Sequence, residues 1–229
     1  MTFVPGQPWF QDAVDLLDLR RQDRVLAVYT DPRQVRALAT LVGKNGALTV
    51  VQPDRVVAEA IAELGLPHVE IFAHQLTGTE RFGAFDALLC AVTTRPDLPL
   101  GAYGELPRRN LRPGGRLAID LPAPDMLPLL RVAALELGIA EARLQCLCGP
   151  GDDALSDVLR NAGLRRVQSL LGSHLLHLES PHELVDLVAD PMGLTDAERN
   201  DLGAALVRGT GSTAAVEVLA HRTRLQALR

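Results

Sequence analysis

Five short apolar runs alternate with amphipathic stretches through the first half of this 229-residue chain, and that alternation limits its fold more than any other feature. The runs are residues 24–29 (RVLAVY), 47–51 (ALTVV), 68–72 (HVEIF), 85–92 (FDALLCAV) and 116–121 (RLAIDL), rich in the branched and aromatic side chains that suit buried strands. Between the first two, Val35, Leu38, Ala39 and Val42 fall on one helical face, and residues 54–64 and 100–110 read as further helices. With connections this short, the alternation predicts a parallel sheet covered on both faces, because each right-handed crossover needs a helix to return the chain. Ahead of the first run, residues 8–19 place Phe10, Ala13, Val14 and Leu17 on one helical face, with Pro8 at a position where proline is tolerated.

The second half keeps the apolar pattern but changes rhythm. Helices are predicted over residues 126–137, 152–162, 181–188 and 195–207, the last opened by Thr195 and Glu198 as a capping box. Strands are predicted over 164–178 and 216–225, with Gly172 expected to break or bulge the first of them. No repeat or low-complexity linker interrupts the chain. A hydrophobic content of 47% is enough to bury a sizeable core, so the expectation is one domain over residues 1–229. Within it, residues 8–121 form a nucleotide-binding-type core, and 122–229 add helices and C-terminal strands.

Charge and motif content exclude several functions. The net charge is −5 and Lys44 is the only lysine, so no basic stripe predicts a nucleic-acid partner. No apolar stretch approaches the roughly 18 residues of a membrane span, and residues 1–10 lack the basic start and apolar run of a leader, so a cytoplasmic protein with no membrane partner is expected. Cys90, Cys146 and Cys148 make neither a disulfide framework nor a CxxC pair. Cys146 and Cys148 would share a face if their segment were a strand, but suitably spaced histidines are missing, so no metal is expected. His174 and His177 lie three apart and on a strand would face opposite sides. Without GxSxG, HExxH or GxxxxGK[ST], hydrolase and kinase chemistry lacks its parts.

The element order, with the phrase from Leu111 through Arg112, Pro113, Gly114, Gly115 and Arg116 to Ile119, resembles the class I S-adenosylmethionine-dependent methyltransferases. Phe85 and Asp86 resemble the "FD" that opens that family's fourth strand, and residues 159–167 (LRNAGLRRV) resemble its LxxAGF step into the sixth. The tail, with Ser180, Pro181, His182 and Glu183, then residues 194–199 (LTDAER), is similar to the small-molecule branch that includes trans-aconitate and ubiquinone-type enzymes. The resemblance covers the chain from about residue 8 to its C-terminus. It implies a doubly wound, mostly parallel, seven-stranded α/β sheet of the Rossmann-like methyltransferase type, with S-adenosylmethionine as cofactor.

The resemblance also implies where that cofactor would lie, and there the chain departs from the pattern. Where the family reads roughly VLDxGCGxG, this sequence reads residues 25–33 as VLAVYTDPR: the acid becomes Ala27, and the three glycines become Tyr29, Asp31 and Arg33. Glycines at such a loop let the backbone turn tightly and approach the ligand. Tyr and Arg side chains occupy space that the ligand would fill, and Asp31 followed by Pro32 sets a different turn. Tyr29, Thr30 and Asp31 are therefore the altered cofactor loop. Gln52 stands where an acid would accept both ribose hydroxyls; an amide bonds one hydroxyl without charge assistance. Asp54, two residues on, reads as a helix cap. Ala73 and His74 replace the aspartate near the adenine; His74 offers a base edge one acceptor, but reads better as a surface histidine, because no acid stands beside it in sequence. Cys90, Thr93, Thr94 and Arg95 stand where relatives meet the cofactor and methyl acceptor. Arg95 suits a carboxylate clamp or a plain surface charge, and Cys90 reads better as a small buried hydrophobe than as a nucleophile.

Coordinated change at three cofactor positions, beside an intact strand pattern, yields two functional expectations. The first is a methyltransferase-like pseudoenzyme with a degenerate cofactor site, acting through binding or assembly as a homodimer. The alternative is an active methyltransferase for a small-molecule acceptor, since methyl transfer needs mainly proximity and orientation. A third reading keeps the cleft but changes its ligand.

Overall fold

The computed structural model describes residues 8–92 and 98–229. Helix α1 (Pro8–Leu17) leads into β1 (Arg24–Val28), α2 (Pro32–Val42), β2 (Ala47–Val51), α3 (Arg55–Ala62), β3 (Val69–Phe72), β4 (Phe85–Ala91), α4 (Ala102–Asn110) and β5 (Leu111–Pro122). Then come α5 (Pro128–Glu136), α6 (Glu141–Leu144), a 3-10 turn (Gln145–Leu147), α7 (Asp152–Asn161), β6 (Arg165–Leu178), α8 (Pro181–Met192), α9 (Asp196–Thr210) and β7 (Val216–Leu228). The strands form a seven-stranded sheet in the order β3-β2-β1-β4-β5-β7-β6.

Strands β1 to β5 run parallel, as the crossover argument predicts. The sheet is nevertheless mixed, because β7 inserts antiparallel between β5 and β6. Helices α8 and α9 separate β6 from β7 in sequence, so the two strands form a hairpin around a helical insert rather than a crossover.

The parallel strands are buried on both faces, as continuous apolar runs require. Leu17, Leu38 and Ile61 from α1, α2 and α3 pack on one face, against Val25, Leu48 and Ala118. Tyr103, Leu106, Leu155 and Leu159 from α4 and α7 pack on the other, against Leu26, Leu88 and Ile119. Burying each such side chain contributes about 1.5–3 kcal/mol. A third cluster joins Leu130, Leu184, Val188 and Leu202 from α5, α8 and α9 to the far ends of β6 and β7 at Leu176 and Val218.

Caps place the helix starts where the side chains dictate. The Asp31 side chain accepts from Gln34 N while Gln34 bonds back to Asp31 N, and Thr195 and Glu198 close the same reciprocal box on α9. Asp54 caps α3 by accepting from Val56 N and Val57 N.

Two readings of the sequence are corrected here. Gly172 neither breaks nor bulges β6, and it pairs regularly with Arg222. A Cβ at Gly172 would meet the Arg224 guanidinium at 2.9 Å, so the glycine makes room for an arginine laid across it. The bulge lies instead between Arg165 and Gln168, where Arg166 takes a left-handed φ of 53°. Cys146 and Cys148 are not on a strand: their Sγ atoms donate to Arg143 O and Leu144 O in the helical turn before them.

At the carboxyl ends of β4 and β5, a buried ionic network sets the register of the last strand. Arg222 and Asp120 are both wholly buried and bonded through Arg222 Nε at 2.6 Å, and Arg222 Nη2 also donates to Val92 O. Arg224 holds the other Asp120 oxygen at 2.8 Å, reaches Asp12 of α1 at 2.6 Å and donates to His174 of β6. Burial and the adjacent Arg224 push His174 below its ordinary pKa, so the ring is neutral at pH 7 and accepts from the guanidinium. Breaking a buried pair by removing one partner strands a charge. Arg222→Leu is expected to cost about 3–5 kcal/mol of unfolding free energy in urea titration, with a smaller loss when Asp120→Leu is added.

Candidate functional site

In an open parallel sheet, ligand clefts form beyond the carboxyl ends of the strands, where β1 and β4 diverge to helices on opposite faces. Here the ends of β1, β2 and β3 are tied closely together. Tyr29 N donates to Val51 O at 3.0 Å, and Gln52 N donates to Phe72 O at 3.0 Å. The sequence candidates Tyr29, Thr30, Asp31 and Gln52 are brought together at this edge.

Tyr29 has a φ of 59°, a left-handed conformation rare for a bulky residue and natural for glycine. The backbone is thus left-handed at the position where the resemblance puts the first glycine, and a phenol side chain stands on it. That side chain is partly buried and packs against the cluster containing Leu76, Cys90 and Val92. Thr30 is fully buried, and its Oγ1 has no hydrogen-bond partner among the described residues. Asp31 is the α2 cap, its carboxylate held by Gln34 N at 2.8 Å.

The Gln52 side chain is buried and committed. Its Nε2 donates to Thr30 O at 2.9 Å, and its Oε1 accepts from Asp54 N at 3.2 Å. Both ends of the amide are thereby used in binding two loops to each other, where a carboxylate could not have donated to the Thr30 carbonyl.

His74 stands apart from these residues in character, with a half-exposed side chain. It has an acidic neighbour that adjacency in sequence does not reveal: Glu80 Oε1 lies 3.5 Å from its Nε2. Burial opposes the ionisation of Glu80, but the Thr77 hydroxyl and the amides of Thr77 and Gly78 outweigh it and hold the carboxyl at about 2. The loop is pinned again at Asn110, wholly buried, which donates to Glu80 O and accepts from Phe82 N. Glu80 and Asn110 thus hold the His74 loop rigidly, a role invisible at the level of motif.

Cys90 is buried, and desolvation with the nearby Asp120 charge pushes its thiol up to about 12. A thiol so placed is a packing group rather than a nucleophile. Thr93, Thr94 and Arg95 lie outside the described residues. A cavity of about 290 Å³ opens beyond the end of β5, lined by Met126, Leu127, Leu130, Leu144 and Leu147, with Arg131 and Glu141 paired at its side. Part of its lining comes from residues 126–137, which read as ordinary amphipathic helix, and the rest from residues 141–149, which carry no motif, so nothing in the sequence marked it.

Two of the motifs that carry the resemblance, Phe85–Asp86 and Gly114–Gly115, sit at the opposite, amino-terminal ends of the strands, whereas residues 180–183 and 194–199 lie at and before the starts of α8 and α9. Asp86 of the "FD" pair accepts from Arg24 N at 2.8 Å at the start of β1 and pairs with Arg112. Gly114 N donates to Arg229 O at 2.8 Å and Arg229 N to Gly115 O at 3.0 Å, closing the chain end onto the start of β5. They hold strands in place and do not face the cleft.

No family model and no curated relative matches the sequence. Solved structures do match in fold. The YcgJ protein of Bacillus subtilis is 14% identical, with 97% of this chain and 98% of that one covered and a TM-score of 0.66. An S-adenosylmethionine-dependent O-methyltransferase of Thermotoga maritima is 15% identical over 100% of this chain and 67% of its own, with a TM-score of 0.56. The [4+2]-cyclase SpnF is 16% identical over 97% and 80%, with a TM-score of 0.57. Among the described residues no helix is long and apolar enough to cross a membrane.

Two measurements check this geometry. Asp31→Ala is expected to lower unfolding free energy by about 1 kcal/mol, the value of a lost cap, in chemical denaturation. Alkylation by iodoacetamide at pH 8, followed by mass spectrometry, is expected to leave Cys90 unmodified in the folded protein and to modify it in urea; labelling of the native protein at Cys90 would contradict its burial.

Proposed function

Starting from the class I S-adenosylmethionine-dependent methyltransferase fold that this chain has, we propose that it is a methyltransferase-like protein that no longer holds the cofactor efficiently and acts through binding or assembly as a homodimer. The observation that carries this reading is Tyr29. The chain keeps a left-handed step there while giving up the bare backbone that makes such a step useful to a ligand. Holding a tyrosine in that conformation costs about 1–2 kcal/mol, an expense offset by packing of the ring against the core beneath it.

The neighbouring residues support the same conclusion. Gln52 commits one donor of its amide to Thr30 O and its oxygen to Asp54 N, which fixes the amide between two loops instead of aiming it at a ribose, and Asp31 caps its own helix. These residues do not fit S-adenosylmethionine. The fold itself leaves the reaction open, since its neighbours include a protein described as a [4+2]-cyclase.

A second reading, small-molecule chemistry with methyl transfer among its forms, is favoured by one observation: the apolar cavity beyond β5. Native mass spectrometry of freshly purified protein would reveal a retained molecule there.

Isothermal titration with S-adenosylhomocysteine tests the main proposal. The expected result is no binding tighter than about 100 μM; a low-micromolar dissociation constant would overturn it. In the same titration, heat that appears only in the Tyr29→Gly variant would identify the phenol as the obstruction.

A further inference from the structure

The two edges of the sheet are unequal. One ends on β3, four residues long; the other on β6, fourteen residues long and paired only with β7 among the described residues. Long edge strands offer unpaired amides and carbonyls to other chains, and proteins usually blunt them with lysine, proline or inward-pointing charge. Between Val167 and Leu178, β6 carries none of these. Its outward side instead shows Leu171 at 68% and Leu175 at 51% exposure, beside Leu219 of β7 at 42%, all on one face of the sheet.

We infer that this edge is the contact between two copies of the chain, joined by antiparallel pairing of β6 with β6 about a two-fold axis near Gly172. This deepens the assembly proposal above and rests on it. The occupant follows from the charges at the two ends of the strand. Arg165 and Arg166 stand at its start, while Glu179, Glu183 and Glu217 gather at its end, where Glu183 accepts from Glu179 N at 2.8 Å and Glu217 pairs with Leu178's neighbour His177 at 3.0 Å. Antiparallel self-pairing sets the basic end of each copy against the acidic end of the other, whereas parallel pairing sets like against like.

Symmetry narrows the register. A two-fold axis perpendicular to the sheet keeps the same face uppermost in both copies, so it must pass through a residue rather than between two residues. Centred on Gly172, Leu171 lies opposite Ser173 of the second copy and Leu175 opposite Ser169. The four leucines then become diagonal neighbours in one stripe, the separation at which large side chains still touch. Beyond the bulge, Arg165 and Arg166 come alongside Leu178 and Glu179 of the second copy. Gly172 leaves the crossing point without a side chain of its own.

Sedimentation velocity at roughly 50 μM protein tests this inference. The wild-type chain is expected to sediment as a dimer. Leu171→Lys with Leu175→Lys, both at exposed positions, should weaken the dimer at least a hundredfold and leave the circular dichroism spectrum of the folded chain unchanged. Arg165→Glu with Arg166→Glu should weaken it about tenfold, and adding Glu179→Arg with Glu217→Arg should restore it. A monomeric wild-type chain would sink this inference and the assembly proposal together. A wild-type dimer that survives the lysine substitutions would overturn the β6 contact alone, leaving assembly through another surface.

Discussion

The placement of the last strand depends on Asp120. A carboxylate with no solvent contact must find positive partners, and it finds two on one strand, Arg222 and Arg224, more than a hundred residues away in sequence. Because side chains alternate across a strand, a one-residue slip of β7 would turn both arginines to the wrong face and strand the acid. The network therefore selects a register more than it adds stability, since apolar packing of equal volume can be as stable as a buried ion pair. Its reach explains other choices nearby. Gly172 is bare because Arg224 lies over it, and α1 is drawn to the sheet by Asp12 as well as by Leu17 and Val14.

The two edges of the sheet perform different tasks. Asp86, Gly114 and Gly115 fasten strand starts and the chain end at the amino edge. At the carboxyl edge the loops after β1, β2 and β3 are bonded to one another by Tyr29 N, Gln52 N and Gln52 Nε2. The bonds that fix the strand starts and those that tie the loops lie at opposite ends of the same strands.

This division decides what could be read from the sequence. The β1–β5 strands and their helices were legible because burial on both faces leaves continuous apolar runs, and the caps at Asp31, Asp54 and Thr195 are written locally. The direction of β7 was not, because antiparallel insertion depends on a pairing between Asp120 and Arg222 that no local pattern marks. His74 looked isolated for the same reason: its partner Glu80 is brought back by a loop that Asn110 anchors from α4. Gly172 looked like a breaker because its real constraint, a guanidinium from the next strand, is invisible along the chain. Tyr29 and Gln52 were recognisable as departures, but their bonds and backbone angles came only with the tertiary arrangement.

The position of β7 has a consequence for how the chain comes off the ribosome. The strand that covers the outer side of β5 is made long after it, so β5 waits with its edge unpaired while more than ninety further residues are synthesised. During that interval Asp120 stays hydrated and Arg222 does not yet exist to meet it. The parallel half, β1 to β5, is complete early and its contacts are comparatively local, whereas closure of the sheet awaits the C-terminal strand. Ribosome-bound chains stalled before residue 216 therefore present both β5 and β6 as open edges, and chaperone contact is expected to concentrate there until the last strand arrives.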